Sequence, residues 1–315
     1  MTNAMPVLVR EEPARHLDHD GLWKKVITDL FEPFMLFFAP DLYEQMDWSK
    51  QPDSLEQELK RTFPVKKGTK YTDKLMKVHL QDGKEQWILV HVEVQRDKED
   101  DFAERMFQYF YRIFDKYNQK IYAIALLTDA DRSFHPTSYD YHFHGTNLTY
   151  AYNTYKIWRE DEETLLHSNN PFALVVLAGK YALKSEKNAD DRYQFKRRLF
   201  DLIIRHKNYS RENTTSLILF VDFLLAMPEE MDQKLQGEFS SKVEEEVSLM
   251  HDTSFPDPPT FKPVFEKLRR EEEEIKRQNT KEIAEVMLEK GYSAQEIIEI
   301  TNITEDELEE IKNQN

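Results

Sequence analysis

The sequence predicts an α/β (α+β) core in the first half of the chain, followed by a region made only of helices. Two apolar-patterned runs, near 73–80 and 87–95, flank an Asp-Gly pair, which is a strong hairpin signal. An amphipathic helix over about 102–117 and a continuous apolar run over 121–127 follow, as in a sheet flanked by helices. From residue 171 onward the hydrophobic periodicity predicts only helices, over about 171–184, 190–206, 213–227 and 234–249.

The helix over 102–117 and the aromatic runs after it complete the predicted core. At helical spacing the helix presents an apolar face, made of Met106, Phe110, Ile113, Phe114 and Tyr117. Alternating aromatic residues over 139–143 and 148–155 predict two more strands. Before the hairpin, Asp53 and Glu56 have the spacing of a capping box, which predicts a helix there.

Composition excludes several classes of site. The chain of 315 residues is 40% hydrophobic and 12% aromatic, which is enough for a real core. It contains no cysteine, so disulfides, thiolate metal sites and cysteine nucleophiles are excluded. Its seven glycines do not cluster, which argues against phosphate-cradling loops. Residues 1–20 lack the pattern of a signal peptide and the longest apolar stretch, 34–39, is too short to cross a bilayer, so we expect a soluble cytoplasmic protein.

Charge is distributed unevenly along the chain. The net charge is −16, which looks unfavourable for a protein that binds nucleic acid. Residues 227–315, however, hold 24 acidic and 11 basic side chains, so this part carries −13 and the first 226 residues carry only −3. The stretch 60–84 is locally basic, with eight lysines and arginines. These lysines are either a nucleic-acid contact surface or ordinary solvated surface.

Four regions are predicted along the chain. Residues 1–160 form the core, residues 161–250 form a helical region on or beside it, residues 251–263 are a proline-rich linker, and residues 264–315 form a charged helix with a small tail. The tail resembles a helix-turn-helix, with capping-box spacing at Ser293–Glu296 and at Thr304–Glu307. Its last helix is acidic and would be repelled by phosphate, so we expect a protein-contact or self-association module that forms a homo-oligomer.

Strand alternation places the polar residues of the hairpin on one face. Even-numbered positions of both runs are mainly apolar, and odd-numbered positions include Asp73, His91 and Glu93. A three-residue loop that pairs Leu80 with Lys84 would keep the faces matched, and it would put Asp73 opposite His91 and diagonal to Glu93. Two neighbouring carboxylates repel each other, and a hard divalent cation with oxygen ligands offsets that repulsion. The alternative is that these acids decorate a solvated face.

Four motifs in order resemble a known family. They are His19-Asp20-x-x-Trp23-Lys24, Tyr71-Thr72-Asp73-Lys74-Leu75, Val90-His91-Val92-Glu93-Val94-Gln95 and Arg105-Met106-x-x-Tyr109. Over about residues 19–160 they resemble the recombination-promoting nuclease / putative transposase family, which belongs to the PD-(D/E)XK nuclease superfamily. The resemblance implies a restriction-endonuclease-like core with a central mixed sheet flanked by helices.

The resemblance also implies a set of site residues. Asp73 and Glu93 match the catalytic acids, Gln95 takes the place of the superfamily's lysine, and Asp73, Glu93 and the carbonyl of Val94 would hold Mg²⁺ or Mn²⁺. Glutamine can orient water but carries no charge, so the metal or a nearby cation must contribute more. Glu58 is a candidate supplementary acid, and Lys74 and Lys77 are candidate phosphate contacts. Arg105, on the helix after the hairpin, would either contact phosphate or pair with Glu104 or Glu93.

The implied function is a magnesium-dependent DNA endonuclease linked to recombination or mobile elements. The alternative is a catalytically inactive protein that keeps the nuclease fold as a binding or regulatory module. His135, His142 and His144 lie close together in sequence, but their spacing is more typical of surface or packing residues than of a metal site.

Overall fold

A computed structural model describes residues 19–55, 73–81, 87–95, 100–249 and 256–314. Within these ranges, the side chains of Asp20, Asp73, 87–95 and 313–314 are not described. The helices are α1 (His19–Asp29), α2 (Phe31–Phe38), α3 (Pro40–Tyr43), α4 (Phe102–Tyr117), α5 (Glu162–His167), α6 (Pro171–Lys184), α7 (Ala189–Arg205), α8 (Arg211–Leu224), α9 (Glu229–Glu246), α10 (Lys262–Glu289), α11 (Ala294–Thr301) and α12 (Glu305–Gln314). The strands are β1 (Asp53–Ser54), β2 (Asp73–His79), β3 (Trp87–Gln95), β4 (Lys120–Leu127), β5 (Ser138–Phe143), β6 (Thr146–Ala151) and β7 (Asn153–Lys156).

Five of the strands form one mixed sheet in the order β1-β2-β3-β4-β7. The pairs β1–β2 and β2–β3 are antiparallel, whereas β3–β4 and β4–β7 are parallel. The predicted hairpin strands and the strand over 121–127 are confirmed within a residue. Asp53 does not cap a helix, because Asp53 and Ser54 pair with Lys77 and Met76 as a short edge strand. Residues 56–72, where the helix predicted from this cap would run, lie outside the described part of the chain.

One face of the sheet packs on the helical half of the chain. Met76, Val78, Ile124 and Leu126 are buried in the same core as residues of α1, α2, α6 and α8. Trp23 of α1 is fully buried there, with its ring 5.0 Å from that of Phe220. These even-numbered strand positions are the apolar face that alternation predicted.

The other face of the sheet is covered by α4. This helix buries a stripe at helical spacing that contacts Leu75, Ala123, Ala125 and Leu127, namely Phe102, Met106, Tyr109 and Ile113. The predicted face of α4 was therefore only partly right, because Phe114 is 47% exposed and Phe110 is partly buried. The helix ends where Asn118 adopts the left-handed conformation at φ 49°.

A buried ion-pair cluster ties the helical half together. Lys196 of α7 contacts Asp222 of α8 at 2.6 Å and Asp232 of α9 at 2.8 Å, and its side chain is fully buried. Thr260 donates its backbone N–H to Asp222 at 2.9 Å, which anchors the 3-10 turn 259–261. Since Thr260 and Phe261 are buried, the predicted linker 251–263 contains residues that belong to the core.

The tail forms a small cluster of three helices. The C-terminal part of α10 packs with α11 and α12 around Ala284, Met287, Ile297, Ile303, Leu308 and Ile311. Both predicted capping boxes are present, at Ser293–Glu296 and Thr304–Glu307. Gly291, at φ 81°, allows the sharp turn between α10 and α11. Among the described residues, no helix combines the length and apolarity that a membrane span requires.

Replacing Lys196 with methionine should destabilise the fold by about 3 kcal/mol, because it leaves the buried Asp222 and the partly buried Asp232 without a counter-charge. The free energy of unfolding in urea, measured for Lys196→Met and the wild type, checks this. The same substitution at Lys234, which is exposed on α9, is the control and should change stability by less than about 0.5 kcal/mol. Equal stability of the two variants would contradict the role assigned to the cluster.

Candidate active site at the carboxyl ends of the parallel strands

The register between β2 and β3 places Asp73 directly opposite Glu93. Opposed residues in an antiparallel pair have Cα atoms about 5 Å apart and lie on the same face. The prediction that these two positions meet on one face is therefore consistent with the backbone. The side chains of Asp73, Glu93 and Gln95 lie outside the described part of the structure.

The predicted pairing of Leu80 with Lys84, and of Asp73 with His91, is wrong by two residues. His79 opposes Trp87 in the observed register, so the positions of β3 are shifted by two relative to the prediction. On the edge of β2 that faces β1, Leu80 forms an isolated bridge with Met46. Gln81 donates its backbone N–H to the carbonyl of Gln45 at 2.9 Å on the same edge.

The carboxyl ends of three parallel strands meet beside these positions. Gln95 of β3 pairs with Leu127 of β4, and Leu127 pairs with Lys156 of β7. Asp73 starts β2 at the same edge because β2 runs antiparallel to β3. Ligands in open α/β sheets bind at this kind of edge, beyond the carboxyl ends of the strands.

A buried ion pair that the sequence did not single out lies at this edge. Lys156 Nζ is 2.5 Å from Asp129 Oδ1, and the two side chains are 0% and 4% exposed. The same Oδ1 accepts the backbone N–H of Asp131 at 2.9 Å, whereas Asp129 Oδ2 is buried and has no hydrogen-bond partner among the described residues. The available signal was the Thr128-Asp129 pair directly after a buried strand, but nothing in the sequence named Lys156 as its partner.

Cationic groups around this pair perturb a neighbouring histidine. Burial lowers the pKa of His135, and the nearby charges of Arg159 and Lys156 lower it further. The Lys156 ammonium also lies 5.7 Å from the centre of the Phe134 ring. The edge therefore combines a buried cation with a histidine that favours its neutral form.

The first turn of α4 lies over the same edge. Phe102 packs with Leu127, and Arg105, 8% exposed, is 3.5 Å from Asp101. Of the two partners predicted for Arg105, Glu104 accepts a hydrogen bond from Gln108, and the side chain of Glu93 lies outside the described part of the structure, so the pairing with Glu93 stays a prediction. A helix N-terminus carries a partial positive charge, which favours an anion at this edge.

The two lysines predicted to contact phosphate differ in exposure and lie on opposite faces of the sheet. Lys74 is 4% exposed, at an even-numbered position on the face that packs on the helical core, and its contact with phosphate stays a prediction. Lys77 lies on the other face, is partly exposed and is 3.8 Å from Asp53. Glu58 lies outside the described residues.

Oxygen donors at positions 73 and 93 suit a hard cation such as Mg²⁺, since Mg²⁺ is usually bound by one or two carboxylates and retains several waters. Elsewhere in the described part of the chain, no group of three histidines, aspartates or glutamates could hold a metal ion. The exposed His142 instead shares a hydrogen bond with Asn147 at 2.8 Å.

Comparison with known families shows what this part of the chain is similar to. Residues 18–127, which include β2, β3, α4 and β4, match the family described as putative transposase, YhgA-like. Over this region the chain is therefore similar to a putative transposase family, and the resemblance to such a family inferred from the four motifs is confirmed; the PD-(D/E)XK relationship stays a prediction. Neither the curated proteins nor the solved structures contain a significant match to the chain.

The register can be tested with engineered cysteine pairs, because the chain has no native cysteine. The pair Asp73→Cys/Glu93→Cys should form a disulfide under mild oxidation, since opposed Cα atoms lie within the range that a disulfide spans. The yield is measured by the shift in electrophoretic mobility before and after reduction.

The matched control is Asp73→Cys/His91→Cys, because these two positions are opposed in the alternative register, which has a three-residue loop. Preferential cross-linking of this control pair would show that the register is the one with three loop residues, and would overturn the arrangement described above.

Proposed function

We propose that this chain is a Mg²⁺-dependent DNA endonuclease, acting in recombination or on mobile elements. The observation that supports it best is the opposition of positions 73 and 93 at the edge where β3, β4 and β7 end. The similarity of residues 18–127 to a putative transposase family agrees with action on DNA. The PD-(D/E)XK relationship and the restriction-endonuclease-like core are part of this proposal.

In the proposed site, Asp73, Glu93 and the carbonyl of Val94 hold the metal ion. A bound Mg²⁺ supplies a positive charge to a phosphate oxygen and lowers the pKa of a coordinated water. Without it, two carboxylates on opposed positions, whose Cα atoms are about 5 Å apart, would repel each other. Gln95 contributes an amide that orients the attacking water by hydrogen bonding.

Gln95 carries no positive charge, but other groups at the same edge of the sheet can supply one. The first turn of α4 packs on the carboxyl end of β4 through Phe102 and Leu127, and the Arg105 guanidinium lies 5.4 Å from the centre of the Phe102 ring. Both favour the developing negative charge on phosphate. Lys156 is buried beneath this edge in an ion pair with Asp129, and its charge also affects the electrostatic potential there.

The charge distribution of the chain fits DNA contact through the first half only. Residues 227–315 carry a net charge of −13, so phosphate is repelled from α10–α12. The tail instead exposes Ile283, Val286, Tyr292 and Ile300 around an open groove of about 710 Å³. Self-association through this tail stays a prediction.

Cleavage of supercoiled plasmid DNA in the presence of Mg²⁺ tests the function. The wild type should nick the plasmid, and Asp73→Asn or Glu93→Gln should slow nicking by about two orders of magnitude, because each removes a charged metal ligand. EDTA should abolish nicking by the wild type.

The control variant is Asp115→Asn, which removes the same charge from an exposed position in the last turn of α4, far from the carboxyl edge. It should nick at the rate of the wild type. Equal nicking by Asp73→Asn and Asp115→Asn would refute the proposal and favour a non-catalytic binding module.

A further inference from the structure

Two buried ion pairs of the chain differ in how completely their polar groups are satisfied. In the helical half, the Lys196 ammonium contacts two carboxylates, and Asp222 also accepts hydrogen bonds from Thr260 through both of its oxygens. At the carboxyl edge, the Lys156 ammonium donates only to Asp129 Oδ1 among the described residues, and Asp129 Oδ2 is buried without a hydrogen-bond partner there. Since an ammonium has three N–H donors, two of those of Lys156 have no acceptor in that part of the chain.

A purely structural role leaves the pair at the carboxyl edge poorly explained. A buried ion pair stabilises a fold when further hydrogen bonds satisfy its remaining donors and acceptors, as they do around Lys196. The side chains of Lys156 and Asp129 are 0% and 4% exposed, yet both retain open polar groups. Buried groups left open in this way are candidates for a functional role.

The register of the sheet places Lys156 on the same face as position 95 and in line with it. Gln95 opposes Leu127 across β3 and β4, and Leu127 opposes Lys156 across β4 and β7. Opposed residues in neighbouring strands share a face, and two strand spacings separate positions 95 and 156 by about 10 Å. The face is the one that α4 covers, because the Lys156 ammonium lies 5.7 Å from the centre of the Phe134 ring, which packs on Phe102.

The Lys156 side chain reaches from β7 toward β4. Its ammonium contacts Asp129, which follows the end of β4, and β4 lies between β7 and β3 in the sheet. The charge therefore lies nearer to the end of β3 than the backbone of Lys156 does. Asp129 offsets part of this charge, whereas Asp131 and Glu160, the other acids close in sequence, form no ion pair with the ammonium. Because the ammonium is buried, salt screens its charge much less than that of an exposed lysine.

The charge of Lys156 also acts outside the ion pair. Burial and the charge of Arg159 lower the pKa of His135, and the charge of Lys156 lowers it further. A positive charge that disfavours protonation of this imidazole favours an anion at the same edge of the sheet. Phosphate groups of DNA are anions of this kind.

We propose that Lys156 is a positioning residue of the candidate site, whose buried ammonium supplies the positive charge that Gln95 lacks. The inference rests on the proposed nuclease function and deepens it, because it assigns to β7 the charge that attracts the DNA phosphate. The ammonium acts on the negative charge of the phosphate, which it favours during binding and during hydrolysis. Asp129 holds the ammonium at the edge.

Three variants of the pair separate charge from stability, namely Lys156→Met, Asp129→Asn and the double variant. Lys156→Met leaves a buried carboxylate without a counter-charge and Asp129→Asn leaves a buried ammonium, so both should lower the free energy of unfolding in urea. The double variant removes both charges and should recover most of that loss. Measurements on DNA are made under conditions where far-ultraviolet circular dichroism shows each variant to be folded.

Nicking of supercoiled plasmid in Mg²⁺ and binding of a fluorescein-labelled DNA duplex in EDTA are then compared. Lys156→Met and the double variant should both nick about tenfold more slowly, the effect of one poorly screened charge at about 10 Å. Both should also bind the duplex about threefold more weakly in EDTA, where no metal ion contributes. Asp129→Asn removes the offsetting carboxylate but keeps an acceptor oxygen for the ammonium, so it should nick faster than the wild type.

Lys196→Met is the matched control, because it makes the same substitution in a buried ion pair of the helical half. It should lose stability, yet the folded protein should nick the plasmid and bind the duplex like the wild type.

Equal nicking and equal duplex binding by the wild type, Lys156→Met and the double variant would overturn the inference. Recovery of nicking together with stability in the double variant would also overturn it, since this would mark a purely structural pair, as would an equal loss of nicking in Asp129→Asn and Lys156→Met. Duplex binding that depends on Lys156 in a wild type that does not nick would refute only the proposed nuclease. Nicking and binding that do not depend on Lys156 would refute only this inference, and a wild type that neither nicks nor binds DNA would refute both.

Discussion

The antiparallel register between β2 and β3 is the constraint on which the account depends. A shift of two residues would keep every apolar side chain on its face, yet it would move Asp73 from Glu93 to His91. The apolar pattern alone therefore cannot choose between the two registers. In the structure the register is the one in which Asp73 opposes Glu93 and His79 opposes Trp87.

The same sheet links the two halves of the chain. Its even-numbered face is buried against the helical core, and its odd-numbered face is covered by α4, so the sheet cannot slide without exposing apolar surface on both sides. The carboxyl edge, by contrast, is formed by strand ends and the first turn of α4. The packed sheet therefore fixes the positions of the charged side chains at its carboxyl edge, as a catalytic site requires.

The sequence predicted much of the regular structure, because hydrophobic periodicity depends on local residues. The bounds of α4, the strands of the hairpin and the capping boxes of the tail all followed from short patterns. Long-range contacts were out of reach. The pair Asp129–Lys156 joins residues 27 positions apart, one just after β4 and one at the end of β7, and the burial of Lys74 does not follow from its local sequence. At the candidate site, the residues came from a family resemblance and their backbone opposition from the structure, while the ligand set stays a prediction.

Binding of Mn²⁺ in place of Mg²⁺, followed by loss of the free-ion signal in electron paramagnetic resonance, tests the central claim that positions 73 and 93 hold one cation. The acidic tail contributes a weak background that is the same in every variant, so the comparison between variants decides the result. The account predicts one tight site in the wild type and in Asp115→Asn, and its loss in Asp73→Asn and in Glu93→Gln. Identical Mn²⁺ binding in all four proteins, or no tight site in the wild type, would contradict it.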